Sequence, residues 1–349
     1  ARSVRDEPLP QRMSAISGAL LGRPYVNDPM GEGEGHDADP LARYDAFDCL
    51  TYAEEVLALA LAGEPAHAAA IRSSLRYQGD PSYTTRRHFM ELQWVPGVVR
   101  DGWLVDTTSD YGTVRTLRKE VDEATWAGWG PRKRFPIDDA DLPAGTMSLD
   151  VLPLDQAIDH ADDLRPGSIV LTVREDRAGV PIWTTHVGLV VDTPDGKRMR
   201  HATKLGSGGT KDHGVRWYLE HIRSYRWRVA GITVLEPREL GEDPIAVLGR
   251  QRLDRGLDLL EILARRQPPQ RPGPELRHRP IIDVAGVLRG HQAAHPVLAG
   301  LFEQQLQTVL ALRLANRRHV GRDLVEIEQQ LRLGARPGEH PRVQALGDR

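Results

Sequence analysis

At 349 residues, 40% of them hydrophobic, the chain can bury a substantial core as one large domain or two ordinary ones. Its 46 Lys and Arg against 49 Asp and Glu leave a formal charge of −3, which gives no general attraction to nucleic acid or to an anionic membrane. No apolar run approaches the roughly 20 residues a spanning helix needs, so no integral membrane segment is expected. Ala1 opens a polar stretch, as it would in a mature or trimmed chain, and export from the cytoplasm stays open.

Residues 1–40 are rich in Gly, Pro and Asp and end in Gly31-Glu32-Gly33-Glu34-Gly35-His36-Asp37-Ala38-Asp39-Pro40, which reads as a loop. Residues 1–14 are expected to be a flexible leader. Apolar residues at helical spacing predict a helix over 50–61, stopped by Gly63 and Pro65, then helices over 66–76 and around 86–92. The charged, Pro-containing stretch 116–165 gives no clear element. Residues 168–173, 184–191 and 198–203 are rich in β-branched side chains and separated by turn residues, which predicts an antiparallel sheet. A helix over 217–224 and a closing strand over 231–235 complete an α+β domain spanning 15–237. After residue 240 there is no Lys, Trp or Tyr, and Arg and Leu dominate. Helical patterns at 245–266, 297–313 and 319–333 predict an α-helical C-terminal extension over 238–349, packed as a cap on the first domain.

Cys49 is the sole cysteine, so it forms no intrachain disulfide and is too little for a Cys-based structural zinc site. A lone cysteine is most often an inert buried thiol. Here Asp48 can cap the predicted helix, placing Cys49 in its first turn, where free backbone N–H groups and the helix dipole favour an anion. A thiolate is the nucleophilic form, and the same N–H groups suit an oxyanion.

A cysteine nucleophile needs an imidazole base, and His186 in Trp183-Thr184-Thr185-His186-Val187-Gly188-Leu189 opens a strand. The next strand carries Arg200-His201-Ala202. An Asp195-Gly196 two-residue turn would pair His186 with Leu205 and leave the two histidines about 13 Å apart. A four-residue loop over 192–195 would instead set them opposite each other, about 5 Å apart at Cβ, with His201 orienting the His186 ring. Both registers fit the sequence. His213 and His221 read as surface or structural residues.

The ordered set Leu21-Gly22-Arg23-Pro24-Tyr25, Phe47-Asp48-Cys49, His186-Val187-Gly188-Leu189 and His201-Ala202 resembles the motifs of NlpC-like cell-wall peptidases, with Cys before His as in the hydrolases. Asp48-Cys49-Leu50-Thr51-Tyr52-Ala53-Glu54, together with Tyr83-Thr84-Thr85-Arg86-Arg87-His88-Phe89 and Trp94, is similar to the N-acetylmuramoyl-L-alanine amidase-like family within that group. The resemblance covers about 15–237. It implies a papain-like α+β fold with an N-terminal catalytic helix, hydrolysis of amides in bacterial peptidoglycan or muropeptides, no cofactor, and a periplasmic or secreted location. It makes Cys49 the nucleophile, His186 the base and His201 the orienting group, with Tyr25 near the oxyanion. Leu50 departs from the Ser that usually follows Asp-Cys, and the His186–His201 interval is long for the family.

Further substrate-binding candidates are Asp48, Thr51, Tyr83, Arg86, His88 and Trp94. Arg86 would clamp a muropeptide carboxylate, against the plainer reading of a solvated helix arginine. Tyr83 and Trp94 would wall a groove, although aromatics are more often core. Two other functions compete: a zinc amidase using Cys49, His186 and His201, for which no close-spaced ligand pair speaks, and a non-catalytic binding protein on a peptidase scaffold.

Overall fold

The computed structural model describes residues 1–63, 65–239 and 247–249. A first helix, α1 (Leu9–Ala19), starts with Pro10 in its opening turn and buries Leu9, Met13 and Ile16 at helical spacing. The leader expected to be flexible thus carries a packed helix. The chain then loops to α2 (Cys49–Ala62), almost entirely buried and ended by Gly63, and to α3 (Pro65–Arg76). Both predicted helices stand. The predicted helix around 86–92 is displaced, because helical turns begin only at Met90 and continue into α4 (Val95–Arg100).

The strands are β1 (Leu104–Asp106), β2 (Arg115–Val121), β3 (Gly145–Pro153), β4 (Ile169–Arg174), β5 (Thr184–Thr193), β6 (Gly196–Thr203), β7 (Gly209–Gly214) and β8 (Val229–Pro237). Helices α5 (Glu123–Gly128), α6 (Leu154–Asp159) and α7 (Val215–Arg223) lie between them. The sheet runs β2-β3-β8-β4-β5-β6-β7, with β1 also on β8, and every pairing is antiparallel. The mixed α/β class and antiparallel sheet agree with the sequence reading. β2, β3 and β7 were not legible in it. The extension expected over 238–349 lies, apart from Arg238, Glu239 and 247–249, outside the described residues.

Alternation along the strands gives the sheet two apolar faces. Ile169, Leu171, Val173, Val187, Leu189 and Ala202 pack with α1, α2 and α3, while Val170, Val190, Met199, Ile232 and Val234 pack with α6 and α7. The segment 22–26 joins β7 to the start of α2: Gly22 and Arg23 exchange backbone hydrogen bonds with Thr210, and Pro24 and Val26 do so with Phe47. That hook fixes where Cys49 emerges relative to the sheet.

Candidate active site

Asp48 and Thr51 form a reciprocal cap. The Thr51 N–H donates to Asp48 Oδ1 at 2.8 Å, and the Asp48 N–H donates to Thr51 Oγ1 at 3.0 Å. Both side chains, expected at the substrate, are therefore engaged in starting α2. Cys49 is the first residue of this helix and remains partly open to solvent.

The β5–β6 ladder shows how the thiol comes beside the strand that carries His186. Pairing begins at Thr193↔Gly196, across a loop of Pro194 and Asp195, and runs only to Leu189↔Arg200. Beyond that point the strands part. The Val190 N–H is directed to Ser168, on the β4 side, so in an antiparallel strand the N–H of Val187 faces the opposite side, where β6 has left. The Cys49 sulfur comes to this side of β5, near enough for the backbone N–H of Val187, with those of Cys49 and Leu50 at its own helix terminus, to favour its thiolate form.

Neither turn anticipated from sequence is formed. Continued by one pair, the actual register sets Gly188 opposite His201, so His186 is its diagonal neighbour on the same face. Gly188 makes that diagonal passable, since a Cβ there would fall 2.5 Å from Met199 Sδ and 3.3 Å from His201 Cβ. His186 Nε2 and His201 Nδ1 meet at 2.7 Å, with ring centroids 4.8 Å apart and planes at 78°. The same diagonal step recurs on β7, where His201 Nε2 and His213 Nδ1 meet at 2.8 Å. Tyr218 of α7 lies edge-on to His201 and exchanges a 2.8 Å hydroxyl bond with Thr172, which pairs with His186. His213 was missed in the sequence because β7 was hidden in a Gly-rich stretch; recognising that strand would have put it on the His201 face, whereas Tyr218 lies within the helix expected over 217–224 and only the packing of that helix on the sheet brings it to the histidines.

These groups are neutral at rest. Burial pushes the Cys49 thiol up to about 12, and the Asp48 charge adds to this, against the three N–H groups that favour the thiolate. The helix terminus does not prevail, contrary to the sequence expectation of an acidic thiol. Burial also pushes His186 down to about 4 and His201 down to about 2. Tyr25 is close enough to Cys49 for the charges to interact, and burial raises its phenol first of all.

The remaining candidates divide. Arg86 is buried and already engaged: it donates to Glu32 at 2.7 and 2.8 Å, to Asp37 at 2.6 Å and to Asp28 at 3.4 Å. Its guanidinium pins the 28–37 loop and leaves no fork for a substrate carboxylate. Tyr83 stands beside this cluster, 5.2 Å from Arg86 and 4.6 Å from the ring of His88. His88 Nε2–H donates to the Tyr83 carbonyl at 2.7 Å, and burial pushes that imidazole down to about 4. Trp94 is 1% exposed and donates to Glu54 at 2.9 Å, so it is core and not a groove wall. Among the described residues, no group of three or more His, Cys, Asp and Glu side chains is arranged to hold a metal ion.

A family model described as AmiA-like, N-acetylmuramoyl-L-alanine amidase-like, matches residues 15–223. The chain belongs to this amidase-like family. Its relation to peptidoglycan-hydrolysing amidases follows from that membership. Among solved structures, a Legionella pneumophila protein of the DUF1460 family superposes with a TM-score of 0.60 at 20% identity, over 67% of this chain and 91% of that one. An N-acetylmuramoyl-L-alanine amidase from Bacteroides uniformis does so with a TM-score of 0.54 at 20% identity, over 66% of this chain and 99% of that one. At this identity the likeness is one of fold. No curated protein sequence matches the chain. No helix among the described residues is long and apolar enough to cross a membrane.

Proposed function

We propose that this amidase-like protein is a cysteine hydrolase with a papain-like, NlpC-type core, cleaving an amide of bacterial peptidoglycan or a muropeptide through Cys49, His186 and His201. The observation that carries the reading is the junction at β5: the thiol lies near the Val187 N–H, and the preceding residue, His186, is hydrogen-bonded to His201. With Nε2 of His186 taken by His201, Nδ1 is the nitrogen left for the thiol.

Because thiol and imidazole are both neutral at rest, the nucleophile forms during attack and not before it. The Sγ–H proton passes to His186 Nδ1 as sulfur bonds to the carbonyl carbon. The oxygen takes the charge, and the N–H groups of Cys49 and Leu50, which the sulfur gives up as it bonds to carbon, are the donors available to it, with the Tyr25 hydroxyl nearby. Collapse breaks the C–N bond, and His186 returns the proton to the leaving amine. Water, deprotonated by His186, then cleaves the thioester to a carboxylate and the free thiol. Tyr83 and His88 form a wall beside Asp28, and Asp48 and Thr51 contribute by holding the helix start. In this proposal 15–237 is the catalytic domain, 238–349 a helical extension, and the site of action lies outside the cytoplasm.

Incubating the full chain with peptidoglycan sacculi and weighing the released fragments by mass spectrometry tests the reading. Fragments ending in newly freed amines and carboxylates are expected, and their masses identify the bond. Release by cleavage between sugars, or loss of release on chelation with no sensitivity to thiol alkylation, would replace a cysteine amidase with a glycosidase or a metal hydrolase.

A further inference from the structure

The histidine chain does not end at the residue that orients the base. His201 is fully buried and hydrogen-bonded at both nitrogens, to His186 through Nδ1 and to His213 through Nε2. A neutral imidazole has one N–H and one lone pair. Two N···N contacts in series therefore allow only two arrangements of hydrogens. In the outward arrangement, His186 Nε2–H donates to His201 Nδ1 and His201 Nε2–H donates to His213 Nδ1, leaving a lone pair on His186 Nδ1. In the inward arrangement every hydrogen sits on Nδ1, and His186 presents an N–H where a base needs a lone pair. The choice is made at the outer end.

That end is His213, half-buried at the sheet edge. Its ring stacks on Trp217 at 4.8 Å and 16°, and the other face of Trp217 is stacked by His221 at 4.9 Å and 8°. Lys211 and Asp212 flank it on β7. Lys211 Nζ is held by the Leu205 carbonyl and the Ser207 hydroxyl, and Asp212 is paired with Arg200 of β6. His201 faces it from β6, and His221 is the titratable group of α7 that approaches it. Burial first, then Lys211 and His221, hold the His213 imidazole below its usual range, while Asp212 opposes them. These surroundings favour the neutral imidazole, the form that has a lone pair to accept with.

Resting on the cysteine-hydrolase reading, we propose that His213 is a positioning residue: its Nδ1 lone pair, acting through His201, fixes His186 as the Nε2–H tautomer that can take the Cys49 proton. Protonating His213 places a hydrogen on Nδ1, reverses the chain and removes the base, so His213 also sets an acid limb of activity. From sequence it read as a surface or structural residue.

The test uses the full chain with 15N-labelled histidine. At pH 7.5, long-range 1H–15N spectra should show His186 and His201 as Nε2–H in the wild type. They should remain so in His213→Asn, whose amide oxygen supplies an acceptor at the Nδ1 position. In His213→Phe the single tautomer should be lost, kcat on a muropeptide should fall by about tenfold or more with KM within about twofold, and the acid limb of the pH profile should move. An Nδ1–H His186 in the wild type overturns the proposal without any variant. So does a His213→Phe protein with an unchanged tautomer and unchanged kcat. The tautomer is read independently of turnover, so activity surviving in Cys49→Ala would refute the cysteine reading while leaving this result separately decided.

Discussion

The imidazole chain on β5, β6 and β7 and the guanidinium–carboxylate cluster around Arg86 each bury several ionisable groups, but in opposite ways. Around Arg86 the bonds are between ions, with the carboxyl groups of Glu32, Asp37 and Asp28 gathered on one guanidinium. The neighbouring helices repeat the pattern in Arg76–Glu54 at 2.8 Å and in the buried Arg72–Glu55 pair. Such pairs fix geometry, because removing one partner strands a buried charge. Along the histidines no carboxylate among the described residues is bonded to the rings; their partners are one another, and burial keeps them neutral. A chain of neutral groups with transferable protons suits chemistry, whereas a cluster of bonded ions suits a scaffold.

The sharpest break of this contrast is Arg86→Ala. If Arg86 is scaffold, the variant loses about 3–5 kcal/mol of stability in denaturant unfolding. Loss of substrate affinity at unchanged stability would return it to substrate binding. Next comes His201→Ala, expected to lower kcat about 10²-fold, equivalent to about 2.7 kcal/mol, together with a lower unfolding midpoint from the loss of a buried, doubly hydrogen-bonded side chain. His201→Asn, which offers an oxygen to His186 Nε2–H, should recover part of the rate.

A smaller effect separates cap from charge at the helix start. Asp48→Ala should cost about 1 kcal/mol as a lost N-cap. Asp48→Asn can keep the cap but removes the charge that raises the thiol, so alkylation of Cys49 at pH 8 should quicken relative to the wild type. The mildest perturbation is pH itself. His186, His88 and His201 bind protons less readily folded than unfolded, so stability should be complete above about pH 6.5 and decline as pH falls through the interval toward 4. Glu55 and Glu91, whose carboxyls burial pushes up, act in the opposite sense near their own range. Thermal unfolding at pH 7.5 and pH 5.5 reads the histidine part, with the lower midpoint expected at pH 5.5.

Much of this was legible in local sequence. Asp48 before an apolar helical run, and Gly63 after it, located α2 and put Cys49 at its start; β-branched runs located β4, β5 and β6. The register was not read, although Thr193-Pro194-Asp195-Gly196 carries its signal: Pro at the second turn position and a Gly with φ of +98° at the fourth. β2 escaped because Arg115–Val121 is a charged, largely exposed strand. Arg86 escaped for another reason. Its partners lie between 49 and 58 residues upstream, in a loop whose carboxylates look solvated until the fold assembles them. The acidity of the thiol was misjudged because the helix terminus is visible in sequence and the burial opposing it is not.

The most direct test of the central claim is turnover of a purified muropeptide by Cys49→Ala, measured beside the wild type and supported by an unfolding curve showing that both are folded. A fall of at least about 10³-fold, roughly 4 kcal/mol in the barrier, is predicted. Undiminished turnover by the folded variant would contradict the account at its base.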